Sequence, residues 1–412
     1  MCIRDRLERV GLPPRLFQPE GIEFYGSVNF LKGGLVYSDY LTTVSRKYAQ
    51  EIQTKEFGHG LDGVVRKRAE RLVGVLNGVD YTAWNPAKDE LIAANYSEED
   101  LSGKQVCKQD LLEVFALPHE HLRRPVIGIV SRFVDQKGFD LIAEQAHELM
   151  KEDLVLVVLG TGDRKYEKLF SALAAAYPGR VGLKIAYDNV LAHKVEAGAD
   201  IFMMPSRYEP SGLNQMYSLK YGTVPIVRAT GGLDDSIEPF DVEHGTGTGF
   251  KFYEYSGEAL LYAVEQALHH YMDERDWTRI QLNGMAKDFS WKRPAEEYAN
   301  LYEAARAGRG FAPTRKVAKV EKVETAEKEA EAKRQPRRRA GKPARAVAQS
   351  TPGDGQASQA AEPLGPEKDS RQAVQESTEV RESSVEGPQK SEPDPGNSGE
   401  AGRNQKPAAT SN

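Results

Sequence analysis

The sequence predicts an α/β fold built around a parallel β-sheet. From about Arg124 onward, short segments rich in Val, Ile and Leu alternate with segments of helical periodicity, and such alternation is typical of repeated right-handed βαβ units. The strand segments are apolar at consecutive positions, as expected for strands that helices cover on both faces. The last quarter of the chain differs, because no Phe, Trp or Tyr occurs after Phe311. Residues from about 310 therefore form a predicted disordered tail.

The predicted elements follow one another in a regular order. A strand is recognised by a short apolar run between turn residues, and a helix by apolar positions three or four residues apart. Before residue 110 only 41–45 and 72–76 are convincing strands, which is too little for a second independent sheet. The other predicted strands lie at 125–130, 154–159, 181–187, 200–206 and 223–227, and the predicted helices at 139–151, 166–177, 191–199, 212–220, 257–273 and 291–307.

These patterns divide the chain into five predicted parts. Residues 1–85 are a partial Rossmann-like domain, and 86–123 are a linker with the start of the next domain. Residues 124–290 form a complete Rossmann domain, 291–309 a helix that crosses back to the first domain, and 310–412 the tail. The tail contains a basic block from Lys333 to Arg345, which is either a solvated segment or a site for a polyanion. The sequence does not identify a partner for the tail.

Composition excludes several classes of protein. The net charge of −6 argues against a folded part that binds nucleic acid. Two cysteines, Cys2 and Cys107, are too few for a disulfide framework or a zinc site and favour a reducing compartment. The sequence has neither an apolar run long enough for a membrane span nor a signal peptide. We therefore expect a cytoplasmic protein that uses no metal and no cofactor.

One acidic residue, Glu209, lies at the predicted junction between a buried strand and a helix. In an open α/β sheet, ligands bind at the carboxyl ends of the strands, where this residue would lie. An isolated loop glutamate is more often merely solvated. The interpretation therefore depends on what other side chains reach the same edge.

Two cations follow the first strand of the Rossmann domain on a loop at that edge. Arg132 can bind two oxygens of a diphosphate with its planar guanidinium, and Lys137 can place a point charge on another. A solvated Arg and Lys are the alternative. Glycines at Gly231 and Gly232 mark a sharp turn that either approaches a ligand or only closes the chain. The sequence 160–163 is an incomplete dinucleotide fingerprint, and His193 is interpreted as a structural helix residue.

Four segments together resemble the family of bacterial glycogen synthases and plant starch synthases. The resemblance runs from about Gly21 to Ala307 and rests on the motifs at 77–86, 131–138, 205–213 and 221–233. It implies a GT-B-type twin Rossmann architecture, with a complete donor domain and a partial acceptor domain. It also implies a retaining glycosyltransferase that moves glucose from ADP-glucose to the non-reducing end of an α-1,4-glucan such as glycogen.

The resemblance assigns roles to individual residues. Arg132 and Lys137 would bind the diphosphate and stabilise the charge on the leaving ADP, and Glu209 would hold the transferred glucose. Further donor-binding roles would fall to Asn77 in the cleft, Tyr187 against adenine, the amides near Gly212, Leu213 and Asn214 at the phosphate, and the turn at Gly231 and Gly232.

Two departures from the family pattern matter. Ser211 stands where the family motif has Cys, a change we expect to be tolerated. The family begins with a Lys-x-Gly-Gly-Leu loop, and the similar sequence at 32–35 is interpreted as a coincidence near the end of the acceptor domain. We therefore expect an amino-terminally incomplete synthase with impaired activity. A non-catalytic nucleotide-sugar or glucan-binding module and a UDP-glucose-dependent transferase are the alternatives.

Overall fold

The first part of the chain contains two small two-stranded sheets and several helices. The computed structural model describes Leu7 and residues 11–308, which fall within one compact unit; the predicted tail at 310–412 lies outside the described residues. Strands β1 and β2 pair antiparallel, and β3 and β4 pair parallel. The elements are β1 Glu23–Phe24, β2 Ser27–Val28, α1 Phe30–Tyr37, β3 Leu41–Thr43, α2 Arg46–Glu51, α3 Asp62–Lys67, β4 Leu72–Gly74 and α4 Ser102–Val114.

Lys32 lies in helix α1 and is not part of a phosphate-binding loop. Its side chain is buried, and its ammonium donates hydrogen bonds to the carbonyls of Pro19 at 2.5 Å and Glu23 at 2.6 Å. These bonds connect the segment before the helix, at Pro19 and Glu23, to helix α1. This environment agrees with the interpretation of 32–35 as a coincidental match.

A six-stranded parallel sheet confirms the predicted fold class. Its strand order is β10-β9-β8-β5-β6-β7, so the order reverses between β5 and β8. Every neighbouring pair in this sheet is parallel. The elements are β5 Val126–Phe133, α5 Phe139–Leu149, β6 Val155–Gly162, α6 Arg164–Ala176, β7 Val181–Ile185, α7 Asn189–Gly198, β8 Ile201–Met204, α8 Asn214–Lys220, β9 Val224–Arg228, α9 Gly231–Ser236, β10 Phe250–Phe252, α10 Gly257–Tyr271, α11 Glu274–Met285 and α12 Lys292–Gly308.

The sheet is covered on both faces, which explains its continuous apolar sequence. In and just before strand β6, Leu154, Leu156 and Val158 belong to one buried cluster, whereas Val155 and Val157 belong to the other. Alternate side chains of a strand point to opposite faces, so both faces must be apolar when both are buried. The core therefore lies on either side of this sheet and fixes the positions of its strand ends.

Several elements were not predicted from the sequence, among them helix α9, which begins at the Gly231–Gly232 pair that was interpreted only as a turn. Strand β10 has the short pattern Phe-Lys-Phe, helix α11 is largely polar, and helix α4 begins without a side-chain cap. The predicted domain boundaries remain predictions. No helix within the described residues is long and apolar enough to cross a membrane.

A buried ion pair joins helix α4 to the amino edge of the sheet. Lys108 Nζ lies 2.7 Å from Asp200 Oδ2, and the two side chains are 1% and 7% exposed. The carboxylate also accepts a hydrogen bond from the amide of Val126, and the ammonium donates to the carbonyl of Arg124 and the hydroxyl of Tyr271. The pair therefore connects the starts of β5 and β8 with a helix outside the sheet.

We predict that Asp200→Ala lowers the free energy of unfolding by about 3–5 kcal/mol, because it leaves a buried ammonium without its counter-charge. The matched control is Glu148→Ala, which removes an exposed partner of Lys151 and should cost less than about 1 kcal/mol. Urea denaturation measures both. Equal losses in the two variants would contradict the prediction.

Candidate functional site

Two adjoining cavities lie at the carboxyl edge of the sheet, where the strand order reverses between β5 and β8. The first has a volume of about 350 Å³ and the second about 240 Å³. A reversal of this kind leaves a crevice between the loops that diverge from the two strands. Both cavities are lined by Val130, Ser131, Arg132 and Asn214.

Lys137 and Glu209 meet in the first cavity. Lys137 Nζ lies 2.6 Å from Glu209 Oε2, with the side chains 17% and 8% exposed. The hydroxyl of Ser206 donates to the same oxygen at 3.0 Å. Both contacts fall on Oε2, so Oε1 of Glu209 is left for another donor such as a sugar hydroxyl. The structure therefore brings together two residues that the sequence places in separate loops.

Gly138 allows these two loops to approach each other. Its φ angle is 72°, and a Cβ atom at this position would lie 1.9 Å from the carbonyl oxygen of Pro205. No other residue has both the conformational freedom and the small size that this contact requires. The glycine therefore holds Lys137 close to the loop that carries Glu209.

Gly231 and Gly232 support the loop of Glu209 from its other side. The amide of Gly232 donates to the carbonyl of Glu209 at 3.0 Å. A Cβ atom at Gly231 would lie 1.9 Å from that carbonyl oxygen, and one at Gly232 would lie 1.9 Å from that of Ser211. Both glycines are buried and pack against the loop backbone.

Arg132 is exposed and lies where the two cavities adjoin. Among the described residues, no side chain or carbonyl accepts a hydrogen bond from its guanidinium. Gly212, Leu213 and Asn214 line the first cavity at the start of helix α8. This edge therefore presents a free guanidinium, an ammonium and backbone amides to the same space.

Aromatic side chains form the second cavity. Tyr187 is 93% exposed at its rim. Trp84 stacks on His193 at 3.7 Å and on Tyr217 at 3.9 Å between ring centroids, with interplanar angles of 14° and 3°. Neither Trp84 nor Tyr217 was identified from the sequence as a site residue. Because its two faces lie against the rings of His193 and Tyr217, Trp84 is a fixed part of the cavity wall.

His193 has the structural role that the sequence predicts. The side chain is buried, and Nδ1 lies 2.7 Å from Asp89 Oδ2. The same oxygen of Asp89 accepts a hydrogen bond from the hydroxyl of Tyr221 at 2.5 Å. The histidine thereby presents a fixed face to Trp84.

Asn77 is not brought together with the other predicted residues. It lines a separate cavity of about 210 Å³, together with Arg46, Asp235, Ser290 and Arg293. In contrast, Gly160 and Thr161 of the incomplete fingerprint do line the second cavity. No group of three or more metal-ligating side chains occurs in the described part of the chain.

Glu196 is a buried carboxyl group beside the second cavity. It lines the cavity and is 1% exposed. Burial raises its pKa to about 8, against the opposing effects of a hydrogen bond from Ser218 and the charge of Lys104. Its Oε1 has no hydrogen-bond partner among the described residues. The group is therefore neutral below this pH.

Comparisons with protein-family models match the two parts of the chain separately. Residues 1–67 match the family described as starch synthase catalytic domain. Residues 117–281 match the family described as glycosyl transferases group 1.

Curated relatives share the sequence over about 300 residues. The chain is 56% identical to glycogen synthase of Koribacter versatilis over 302 residues, which are 73% of this chain and 62% of that protein. It is 49% identical to glycogen synthase of Thermotoga maritima over 302 residues, again 73% and 62% of the two chains. The chain thus spans somewhat less than two thirds of the length of these relatives.

A solved structure shows the same fold. It is the catalytic domain of starch synthase IV from Arabidopsis thaliana, bound to ADP and acarbose. The TM-score is 0.69 at 34% sequence identity, and the match covers 74% of this chain and 64% of that one. The likeness supports the GT-B architecture expected from the sequence.

We predict that Glu196→Gln flattens the pH dependence of stability between pH 5 and 8. In this window the native state binds more protons than the unfolded state, whose Glu titrates near 4.5, so the free energy of unfolding of the wild type falls as pH rises. The slope approaches about 1.4 kcal/mol per pH unit for one proton.

Urea denaturation at several pH values measures the effect of Glu196→Gln. The control is Glu258→Gln at an exposed position, which should follow the wild-type profile. Lys104 has its pKa lowered to about 8 by burial, so it is charged in both states through most of the window. Parallel profiles for wild type and Glu196→Gln would contradict the prediction.

Proposed function

This chain belongs to the family of glycogen and starch synthases, and we propose that it binds ADP-glucose in the two adjoining cavities. The proposed reaction transfers glucose from ADP-glucose to the non-reducing end of an α-1,4-glucan such as glycogen, with retention at the anomeric carbon. The observation that carries the proposal is the Lys137–Glu209 pair at the point where the strand order reverses. Residues 124–290 would be the donor domain and 1–85 part of the acceptor domain.

The proposed diphosphate site lies where the cavities adjoin. Lys137 and Arg132 would each contact phosphate oxygens, the first as a point charge and the second through its planar fork. The amides of Gly212, Leu213 and Asn214 line the same space and would donate further hydrogen bonds. When the bond between the anomeric carbon and the phosphate oxygen breaks, negative charge grows on the leaving ADP. Fixed donors aimed at that charge stabilise the transition state.

Glu209 would act at the glucose. Its carboxylate is held by Lys137 and Ser206 through Oε2, so Oε1 can accept a hydrogen bond from a sugar hydroxyl. A carboxylate beside the anomeric carbon also offsets the positive charge of an oxocarbenium-like centre. The ion pair with Lys137 holds this carboxylate in place before substrate arrives.

The second cavity would hold the nucleoside. Tyr187 at its rim offers an exposed ring for stacking on adenine, and Trp84 and Tyr217 line the same cavity. The starch synthase IV structure, which contains ADP, supports an adenine nucleotide by similarity. A UDP-glucose donor and a binding module without catalysis are the competing assignments.

We predict that calorimetry detects tighter binding of ADP-glucose than of UDP-glucose to this chain. Lys137→Ala should lower the affinity for both ADP and ADP-glucose by about tenfold or more, because a hydrogen bond to a charged group contributes about 1.5–3 kcal/mol. Glu209→Ala should lower the affinity for ADP-glucose more than the affinity for ADP, because the carboxylate would contact only the sugar. Lys151→Ala, a surface control, should bind like the wild type.

Other outcomes of that titration decide between the alternatives. Preference for UDP-glucose would assign a different donor. Tight binding that is unchanged in both Lys137→Ala and Glu209→Ala would place the ligand outside the first cavity and refute the proposed site. Binding followed by transfer of labelled glucose to glycogen would separate an enzyme from a binding module.

We predict that Tyr187→Ala weakens the binding of ADP by about 1–3 kcal/mol, which is the usual contribution of a base stacked on an aromatic ring. Pyrophosphate binding should be unchanged, because it needs only the cations of the first cavity. Competition titrations with the two ligands measure the difference. An equal loss for ADP and pyrophosphate would show that Tyr187 acts on the phosphates.

A further inference from the structure

Two short helices from distant parts of the chain cap each other beside the site. Glu51, the last residue of α2, accepts hydrogen bonds from Thr230 Oγ1 at 2.9 Å and the amide of Gly231 at 3.1 Å. In the opposite direction, Asp235 of α9 accepts from the amides of Arg46 at 2.6 Å and Lys47 at 3.1 Å. The two carboxylates therefore satisfy backbone donors at the start of each other's helix.

Glu51 is held in surroundings that disfavour its charge. It is 8% exposed, and burial raises its pKa, opposed by hydrogen bonds from Gly231 and Thr230 and by the charges of Lys47 and Arg228. Its Oε2 is buried without a hydrogen-bond partner among the described residues. An unsatisfied buried oxygen is destabilising. A carboxyl group at this position therefore has a cost that its contacts with the turn at 230–231 must offset.

The same turn touches Glu209 on its other side. The amide of Gly231 binds Glu51, while that of the next residue, Gly232, binds the carbonyl of Glu209. The contacts leave no room for a Cβ atom on either glycine. A displacement of the turn would therefore be transmitted directly to the backbone of Glu209.

We propose that Glu51 is a positioning residue for Glu209. Its carboxyl group fixes the turn at 230–232, and this turn fixes the loop at the place where Glu209 reaches Lys137. The role of Glu209 at the sugar rests on the proposed function. The mechanical link from Glu51 to the loop does not, and it is measurable without any ligand.

The test is hydrogen exchange of the full chain followed by mass spectrometry, with wild type, Glu51→Ala, Glu51→Gln and Asp235→Ala. Glu51→Ala should speed exchange about tenfold or more at 230–232 and in the loop at 207–213, because two hydrogen bonds are lost. Glu51→Gln keeps an acceptor oxygen and should stay near the wild type. Asp235→Ala should speed exchange at Arg46 and Lys47 and leave 207–213 unchanged.

Three results would overturn the proposal. The first is unchanged exchange at 207–213 in Glu51→Ala. The second is an equal rise there in Asp235→Ala, which would indicate only a general loosening of the helix pair. The third is failure of Glu51→Gln to restore slow exchange. Glu70→Ala, at an exposed position of the first part, controls for substitution of a surface glutamate.

Ligand binding adds a second readout with its own meaning. If the wild type binds ADP-glucose, the loss of affinity for ADP-glucose in Glu51→Ala should be at least threefold greater than the loss of affinity for ADP. Glu51→Gln should restore the affinity for ADP-glucose. Equal losses for the two ligands would contradict the link to the sugar-binding carboxylate. If the wild type binds neither ligand, the proposed function fails, while hydrogen exchange still decides whether Glu51 positions the loop.

Discussion

The site depends on the close approach of three backbone turns at the carboxyl edge of the sheet. The turn after β5 touches the one after β8 at Gly138, and the turn after β9 touches it at Gly231 and Gly232. At each of these contacts the space for a Cβ atom is occupied by a carbonyl oxygen. The loop after β8, which carries Glu209, is therefore contacted on both sides, and these contacts fix the position of Glu209. Packing of the sheet core fixes the strand ends from which all three turns begin.

This arrangement places opposite charges together in a partly buried space. Lys137 and Glu209 neutralise each other, so neither has to be desolvated alone when a ligand enters. Arg132 at the boundary between the cavities has no such partner in the part of the chain that the structure describes, and it is available to an incoming anion. A diphosphate would therefore meet one free cation and one cation already oriented by a carboxylate. Preorganised charge of this kind does not have to rearrange during bond cleavage.

The sequence is informative about residues that directly follow strands. Glu209 and the pair Arg132 and Lys137 could be predicted to share an edge, because parallel strands end at the same side of a sheet. Trp84 and Glu51 could not, since their partners at Tyr217 and Gly231 are far away in the chain and meet them only after docking. Asn77 belongs to a family motif but lines another cavity, because a motif does not specify which wall its segment faces. Strand β10 is too short for a detectable apolar pattern.

The second cavity is not a product of the six-stranded sheet alone. Trp84 and Asp89 come from the segment before helix α4, and they contact Tyr217 and His193 on α8 and α7. In the same segment, the hydroxyl of Tyr96 lies 2.9 Å from the carbonyl oxygen of Tyr221 and 3.2 Å from that of Ala197, near the ends of these two helices. The segment therefore both supplies an aromatic wall and fixes the two helices that form the rest of it. Because the first and second cavities share Arg132 and Asn214, we expect the docking of this segment to influence the proposed diphosphate site as well as the proposed nucleoside site. Strand β5 begins at Val126, close to the predicted boundary at residue 124, whereas the wall of the second cavity includes Trp84, about forty residues earlier.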